Sequence, residues 1–255
     1  ENTMRKFLSV LLAMAMVLSL SVTSFAADTD SEAKAEMAGK TVILHTNDVH
    51  GAIEGYAYIT ALKADYEAKG AEVILVDAGD YSQGEVYVSD TKGLDAVEMM
   101  NVTGYDVVTL GNHEFDYGYA QLKENMTKAD FKILCANVYG EDGTPIFDAN
   151  YTYTTKSGVK IGFFGMETPE AQTKANPALI KGLTFATGDA FTKAAADQVA
   201  ALDRTVTHDD DLFEDLLVFT QGHIECAPGT DRLFGGLEAQ VHEDERRIVP
   251  GKRER

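Results

Sequence analysis

From Lys40 onward, short runs of consecutive apolar residues alternate with stretches in which apolar residues recur every three or four positions. Val42–Thr46, Val73–Val76 and Val107–Leu110 are runs rich in β-branched residues, the pattern of strands buried on both faces. Between the first two, Tyr56, Ile59, Leu62 and Tyr66 fall at helical spacing, and Gly70 ends that helix. Leu94, Val97 and Met100 predict a shorter helix ending near Gly104, and Tyr119, Leu122 and Met126 another after the third run. Phe131–Val138 reads as a fourth strand. Tyr151–Thr155 and Val159–Phe164, joined at Lys156-Ser157-Gly158, predict a hairpin. Phe191, Ala195, Val199 and Leu202 place a last helix. Strands alternating with helices and followed by a hairpin predict an α/β protein: a mixed sheet covered by helices, without internal repeats.

Three of these strands run straight into residues that bind metals. Asp48-Val49-His50 follows the first, Gly79-Asp80 the second, and Gly111-Asn112-His113-Glu114 the third. Ligands at the carboxyl ends of successive strands are how an α/β sheet builds a site. Asp, His and Asn offer oxygen and imidazole donors and no thiolate, a set suited to Mn²⁺, Zn²⁺, Fe or Mg²⁺. If the backbone stays extended, Asp48 and His50 point the same way and reach one cation. Asp80 follows a glycine that permits a tight turn, and its two oxygens can bridge two cations. Asn112 offers a neutral oxygen to the second. Asp116 is near enough in sequence to orient the His113 imidazole and stabilise its charged form. Two cations about 3.5–4 Å apart can hold a bridging hydroxide and clamp a phosphoryl group for in-line displacement. A single Asp after a strand is commonly a turn or helix cap; three such segments together are not. His45 lies on the strand itself and is expected to pack inside.

Composition narrows the class of partner. The chain has 255 residues, 45% of them apolar, enough for one large domain or two small ones. A formal charge of −19 argues against a nucleic-acid polymer or an anionic membrane surface, yet leaves room for a small phosphate ester beside bound cations. Cys135 and Cys226 are the only cysteines, so no disulfide framework is indicated, and Cys135 reads as a buried apolar residue. Residues 1–26 read as a secretory signal: Arg5 and Lys6, the apolar run Phe7–Leu20, then small residues at Ser24 and Ala26, with cleavage expected after Ala26. Glu1–Thr3 read as sequence upstream of the true start at Met4. Residues 27–39 read as a flexible spacer, and no stable membrane insertion is expected after cleavage.

Residues 40–201 carry the α/β pattern, and 202–255 do not share its character. Before residue 201 there are 14 Lys and one Arg; after it, one Lys and six Arg. Periodicity fades, and charged clusters such as Asp209–Asp211 and Glu243–Arg247 appear. The tail is read as out of frame or unrelated, with a polar linker or the start of a second domain as the alternative.

The segments Ile43-Leu44-His45-Thr46-Asn47-Asp48-Val49-His50-Gly51, Val76-Asp77-Ala78-Gly79-Asp80 and Leu110 to Gly118 (LGNHEFDYG) closely resemble the bacterial 5′-nucleotidases, of the calcineurin-like metallophosphoesterases. Lys160–Pro169 is similar to the strand and turn that follow in that family. The resemblance covers about residues 41–201. It implies a four-layer sandwich with two mixed β-sheets between helices, here truncated, and two divalent ions at one edge. It also implies that Asp48 and His50 bind the first ion, Asp80 bridges, Asn112 binds the second, and His113 with Asp116 is catalytic. The family's two further histidine segments and its base-stacking C-terminal domain are not matched: His208, His223 and His242 lack the family surroundings. The expected activity is hydrolysis of nucleotide phosphate esters by an exported enzyme. The alternative is a secreted nucleotide- or metal-binding module without turnover. A third reading, a solute-binding surface protein, rests only on the signal and the α/β pattern.

Overall fold

The computed structural model describes residues 36–202 throughout, together with the backbone of 216–220 and 223–226. Strand β1 (Thr41–Thr46) leads into helix α1 (Ile53–Ala68), then β2 (Glu72–Asp77). Helices α2 (Val86–Asp90) and α3 (Leu94–Thr103) precede β3 (Val107–Thr109). A 3₁₀ turn (Asn112–Phe115) and α4 (Tyr119–Met126) connect β3 to β4 (Lys132–Leu134). These four strands form a sheet in the order β1-β2-β3-β4, parallel at every pairing. Parallel neighbours require crossovers, and α1, α3 and α4 provide them. Gly104 ends α3 in the left-handed conformation (φ 82°), and its N–H reaches back to the carbonyls of Met100 and Asn101.

The predicted fourth strand is two strands. After β4 the chain leaves the first sheet: Cys135 N–H bonds to Asp148 O, and Ala136 N–H to Gly165 O. It then forms β5 (Val138–Tyr139), which pairs antiparallel with β8 (Thr184–Phe185). Burial continues unbroken from Leu134 to Val138, which is why the apolar run hides the change of partner. The hairpin is present as β6 (Asn150–Thr154) and β7 (Lys160–Met166), followed by a short α5 (Ala171–Lys174), β8 and then α6 (Asp189–Leu202). Strands β9 (Leu216–Thr220) and β10 (His223–Cys226) extend the second sheet in the order β10-β9-β7-β6. The β7–β9 pairing is parallel and the others antiparallel, so this sheet is mixed while the first is wholly parallel. Expectations for residues 1–26, for most of the spacer and for most of 202–255 lie outside the described residues; β9 and β10 are the parts of that tail that are described.

Three apolar clusters fill the gaps between four layers. Tyr56, Ile59, Val97, Met100 and Leu122 pack helices on one face of the first sheet. Val42, Ile74, Val76 and Val107 meet Ile161 and Phe163 between the sheets. Phe164 and Met166 meet Ala194 and Leu202 beneath α6. Alternation along β7 thus sends residues 161 and 163 one way and 164 and 166 the other. The sheets approach closely at Gly165, where a Cβ would collide with the Leu134 carbonyl oxygen and the Thr109 hydroxyl. Cys135 is buried and free, as the sequence predicts.

Candidate metal centre

The site begins where β1 and β2 end level with one another, Thr46 opposite Asp77. Thr46 Oγ1 donates to Asp77 Oδ2 at 2.5 Å and lies 2.6 Å from the Tyr105 hydroxyl. Beyond the strands the two loops stay bonded: Asp48 N–H to Gly79 O at 3.0 Å, and His50 N–H to Asp80 O at 3.1 Å. Among the described residues four non-glycines have left-handed φ, and three of them are Asp48 (52°), His50 (49°) and Asp80 (62°). That region is unfavourable for side chains with a Cβ, so strain is concentrated at the candidate ligands. It also corrects how Asp48 and His50 converge: a left-handed turn brings them together, not an extended pleat. Their side chains still meet, with Asp48 Oδ1 3.8 Å from His50 Nε2.

Two glycines let the second and third loops interlock. A Cβ on Gly79 (φ 99°) would collide with the Gly111 backbone, and one on Gly111 with the Asp80 carboxylate. Glu114 locks the arrangement. Its buried carboxylate accepts backbone N–H groups from Asp80 (2.8 Å), Tyr81 (3.0 Å), Ser82 (3.0 Å) and Gly111 (2.6 Å). Burial, helped by the Asp80 charge, pushes its carboxyl up to about 7 against the pull of these donors. Sequence reasoning gave Glu114 no role of its own. The signal was its place three residues after Gly111 at a helix start, the spacing of a capping box.

The imidazoles are each held by one nitrogen. His50 Nδ1 lies 2.9 Å from Gln83 O, which can only accept, so Nε2 is left as a donor atom toward the site. His113 Nδ1 is 2.7 Å from Asp116 Oδ2, as the sequence spacing suggested. His113 N–H donates to Asp80 Oδ1 at 2.9 Å. Burial alone lowers the pKa of His113, but the Asp116 hydrogen bond and the charges of Asp80, Asp116 and Glu114 raise it overall. The two rings pack edge-on with centroids 5.1 Å apart. One donor atom from each of His50, Asp80 and His113 lies within 4.8 Å of the others. Asn112, nearly fully buried, sits beside them at the start of the 3₁₀ turn. All six residues singled out from sequence therefore belong to one loop cluster, and His113 falls within reach of a shared ion as well.

A parallel sheet that brings buried Asp80 and Asn112 together with half-buried His50 and His113 at the ends of adjacent strands defines a candidate metal centre in an α/β domain. The chain belongs to the calcineurin-like phosphoesterase family, whose model matches residues 41–241. The snake venom 5′-nucleotidase of Gloydius brevicauda is 35% identical over 156 residues, covering 53% of this chain and 26% of that protein. The 5′-nucleotidase of Vibrio cholerae is 34% identical over 165 residues, 60% of this chain and 30% of that protein. The crystal structure of a 5′-nucleotidase precursor from Thermus thermophilus aligns with a TM-score of 0.60 at 26% identity, over 70% of this chain and 36% of that one. The calcineurin-like phosphoesterase YfkN of Bacillus subtilis shares the fold, with a TM-score of 0.56 at 21% identity over 70% of this chain and 60% of that one. The chain spans about a quarter to a third of the length of these two curated relatives.

Proposed function

We propose that this chain is the catalytic part of an exported phosphoesterase of the 5′-nucleotidase type, acting on nucleotide phosphate esters with two divalent cations. The observation that carries this reading is the convergence of Asp48, His50, Asp80, Asn112 and His113 at the ends of β1, β2 and β3, with Asp116 behind His113. The donor set suits a hard or borderline ion, and burial of Asp80 and Asn112 favours a cation over water as their partner. Asp48, His50 and Asp80 would hold the first cation; Asp80 and Asn112 would contribute to the second. When bound, such cations polarise a phosphoryl group and make water a competent nucleophile near neutral pH.

The residues of the chain supply the rest. Asp116 holds the His113 ring with Nδ1–H toward itself, which leaves Nε2–H to face an ester oxygen. As water adds to phosphorus and the P–O ester bond breaks, His113 gives its proton to the departing alkoxide, which leaves as an alcohol. The Asp116 hydrogen bond fixes the ring and stabilises its charged form. A chain of net charge −19 attracts an anionic ester only where positive charge is local, so cations and His113 together set where it binds.

Relatives described as 5′-nucleotidases support nucleoside 5′-monophosphates as the substrate class. Export rests on the basic and apolar pattern of residues 1–26; among the described residues no helix is long and apolar enough to cross a membrane. A binding module without turnover is the second reading. Phosphate release from 5′-AMP by the Mn²⁺-loaded chain separates them. Release that Asp80→Ala abolishes supports the hydrolase; tight Mn²⁺ binding with no release supports the module.

A further inference from the structure

His50 sits in a turn that its own backbone disfavours. Asp48 and His50 both have left-handed φ, and Gly51 follows at 75°. Such backbone at a residue with a Cβ persists only where its surroundings over-determine it. The second loop holds the turn from one side, through the Asp48 and His50 N–H groups described above. Residues 83–88 hold it from the other. His50 O accepts the Glu85 N–H at 3.0 Å, and Gly51 O accepts the Tyr87 hydroxyl. From the same segment, Gln83 O lies against His50 Nδ1 at 2.9 Å.

The fit between turn and segment is close. A Cβ on Gly84 would collide with the His50 carbonyl oxygen and Cβ, and one on Gly51 with the Val88 side chain. Val88 has no exposure and belongs to the apolar cluster of Tyr56 and Met100, against which Tyr87 also packs. Helix α2 is thus anchored in the core, and it presents the Tyr87 hydroxyl to the turn from a fixed position. The Gln83 and Glu85 contacts are made by backbone groups that any residue supplies. The Tyr87 contact depends on the identity of a side chain. Removing that hydroxyl takes a hydrogen-bond donor from the carbonyl of a buried residue and relaxes the turn from its carboxyl side.

We propose that Tyr87 is a positioning residue of the metal centre: its hydroxyl holds the Gly51 carbonyl and, through it, the turn that aims His50 Nε2 at a cation. This rests on the reading of His50 as a ligand given above. Groups behind a metal-bound histidine set its ring orientation, and their loss weakens the metal without removing a ligand.

The test is calorimetric titration of the metal-free full chain with Mn²⁺, comparing wild type, Tyr87→Phe, His50→Ala and Tyr58→Phe. Phe keeps the Tyr87 ring and removes the hydroxyl alone; Tyr58, exposed on α1, is the control. Tyr87→Phe is expected to bind one ion about ten-fold more weakly. His50→Ala should lose that ion, and Tyr58→Phe should match wild type. Co²⁺ gives a second readout, because its visible bands report how the ligands are arranged about the ion; they should shift in Tyr87→Phe. Wild-type affinity and spectrum in Tyr87→Phe, beside loss in His50→Ala, overturn the role of Tyr87 and leave His50 a ligand. Lower metal-free melting of Tyr87→Phe with affinity and spectrum unchanged marks a tyrosine that only holds the fold, and also overturns the proposal. Undiminished binding by His50→Ala, or none by wild type, overturns the ligand reading and this proposal with it.

Discussion

His113 lies close enough to His50 and Asp80 to ligate an ion, yet its Nδ1 is committed to Asp116, which suits an acid as well as a ligand. Substitution separates the two roles. In the longest active form of the protein, His113→Ala is expected to lower kcat by about 10²–10⁴ while keeping its metal, the usual contribution of a positioned imidazole. Asp116→Asn should lower kcat less, because the ring remains in place but is less readily charged. Asp80→Ala should lose metal and activity together. Metal analysis by emission spectroscopy beside kcat decides the matter: metal loss in His113→Ala equal to that in Asp80→Ala would make the histidine a ligand.

Between elements, the site depends on loops that fit only without side chains. Gly111→Ala would force the Asp80 carboxylate from its place, so it should cost roughly 1–3 kcal/mol of stability and more than ten-fold in activity. Urea unfolding and phosphate release would measure these. A pH effect belongs to the paired strand ends. Burial, outweighing the Thr46 and Gly79 hydrogen bonds, holds the Asp77 carboxyl well above its ordinary range. The folded state thus keeps a proton that the unfolded state gives up. That stabilisation is complete below the ordinary carboxylate range and is lost as pH rises through the raised value. Asn can accept from Gly79 and donate to Thr46, so Asp77→Asn should gain in melting temperature over wild type more at about pH 8 than at about pH 5; equal differences at both would reject this. Strands β1 to β3 and helices α3 and α4 were legible because burial on both faces and helical spacing write themselves into apolar patterns. The β4–β5 break was not, since residues 135 and 136 change partners without changing burial. Glu114 was hidden for a related reason: its meaning lies in the backbone N–H groups that surround its carboxylate, and three of the four come from a segment distant in sequence.

For the molecule as a whole, the centre joins the loops that follow three strands of the first sheet. Removing metal with a chelator should therefore lower the melting temperature of the entire domain, and Mn²⁺ should restore it in proportion to the logarithm of its concentration. A melting temperature indifferent to chelator would detach the ions from stability. N-terminal sequencing of exported material is expected to begin at Ala27; retention of Phe7–Leu20 would reject the signal. The order of the first sheet carries a further consequence. Its strands lie side by side in the order in which they occur along the chain. A polypeptide that becomes free to fold from its amino end, as during synthesis, finds the neighbour of each new strand here already available. The loops bearing residues 48, 50, 80 and 112 to 116 can thus assemble before the second sheet is complete, so that capture of an ion can begin while the rest of the chain is still emerging.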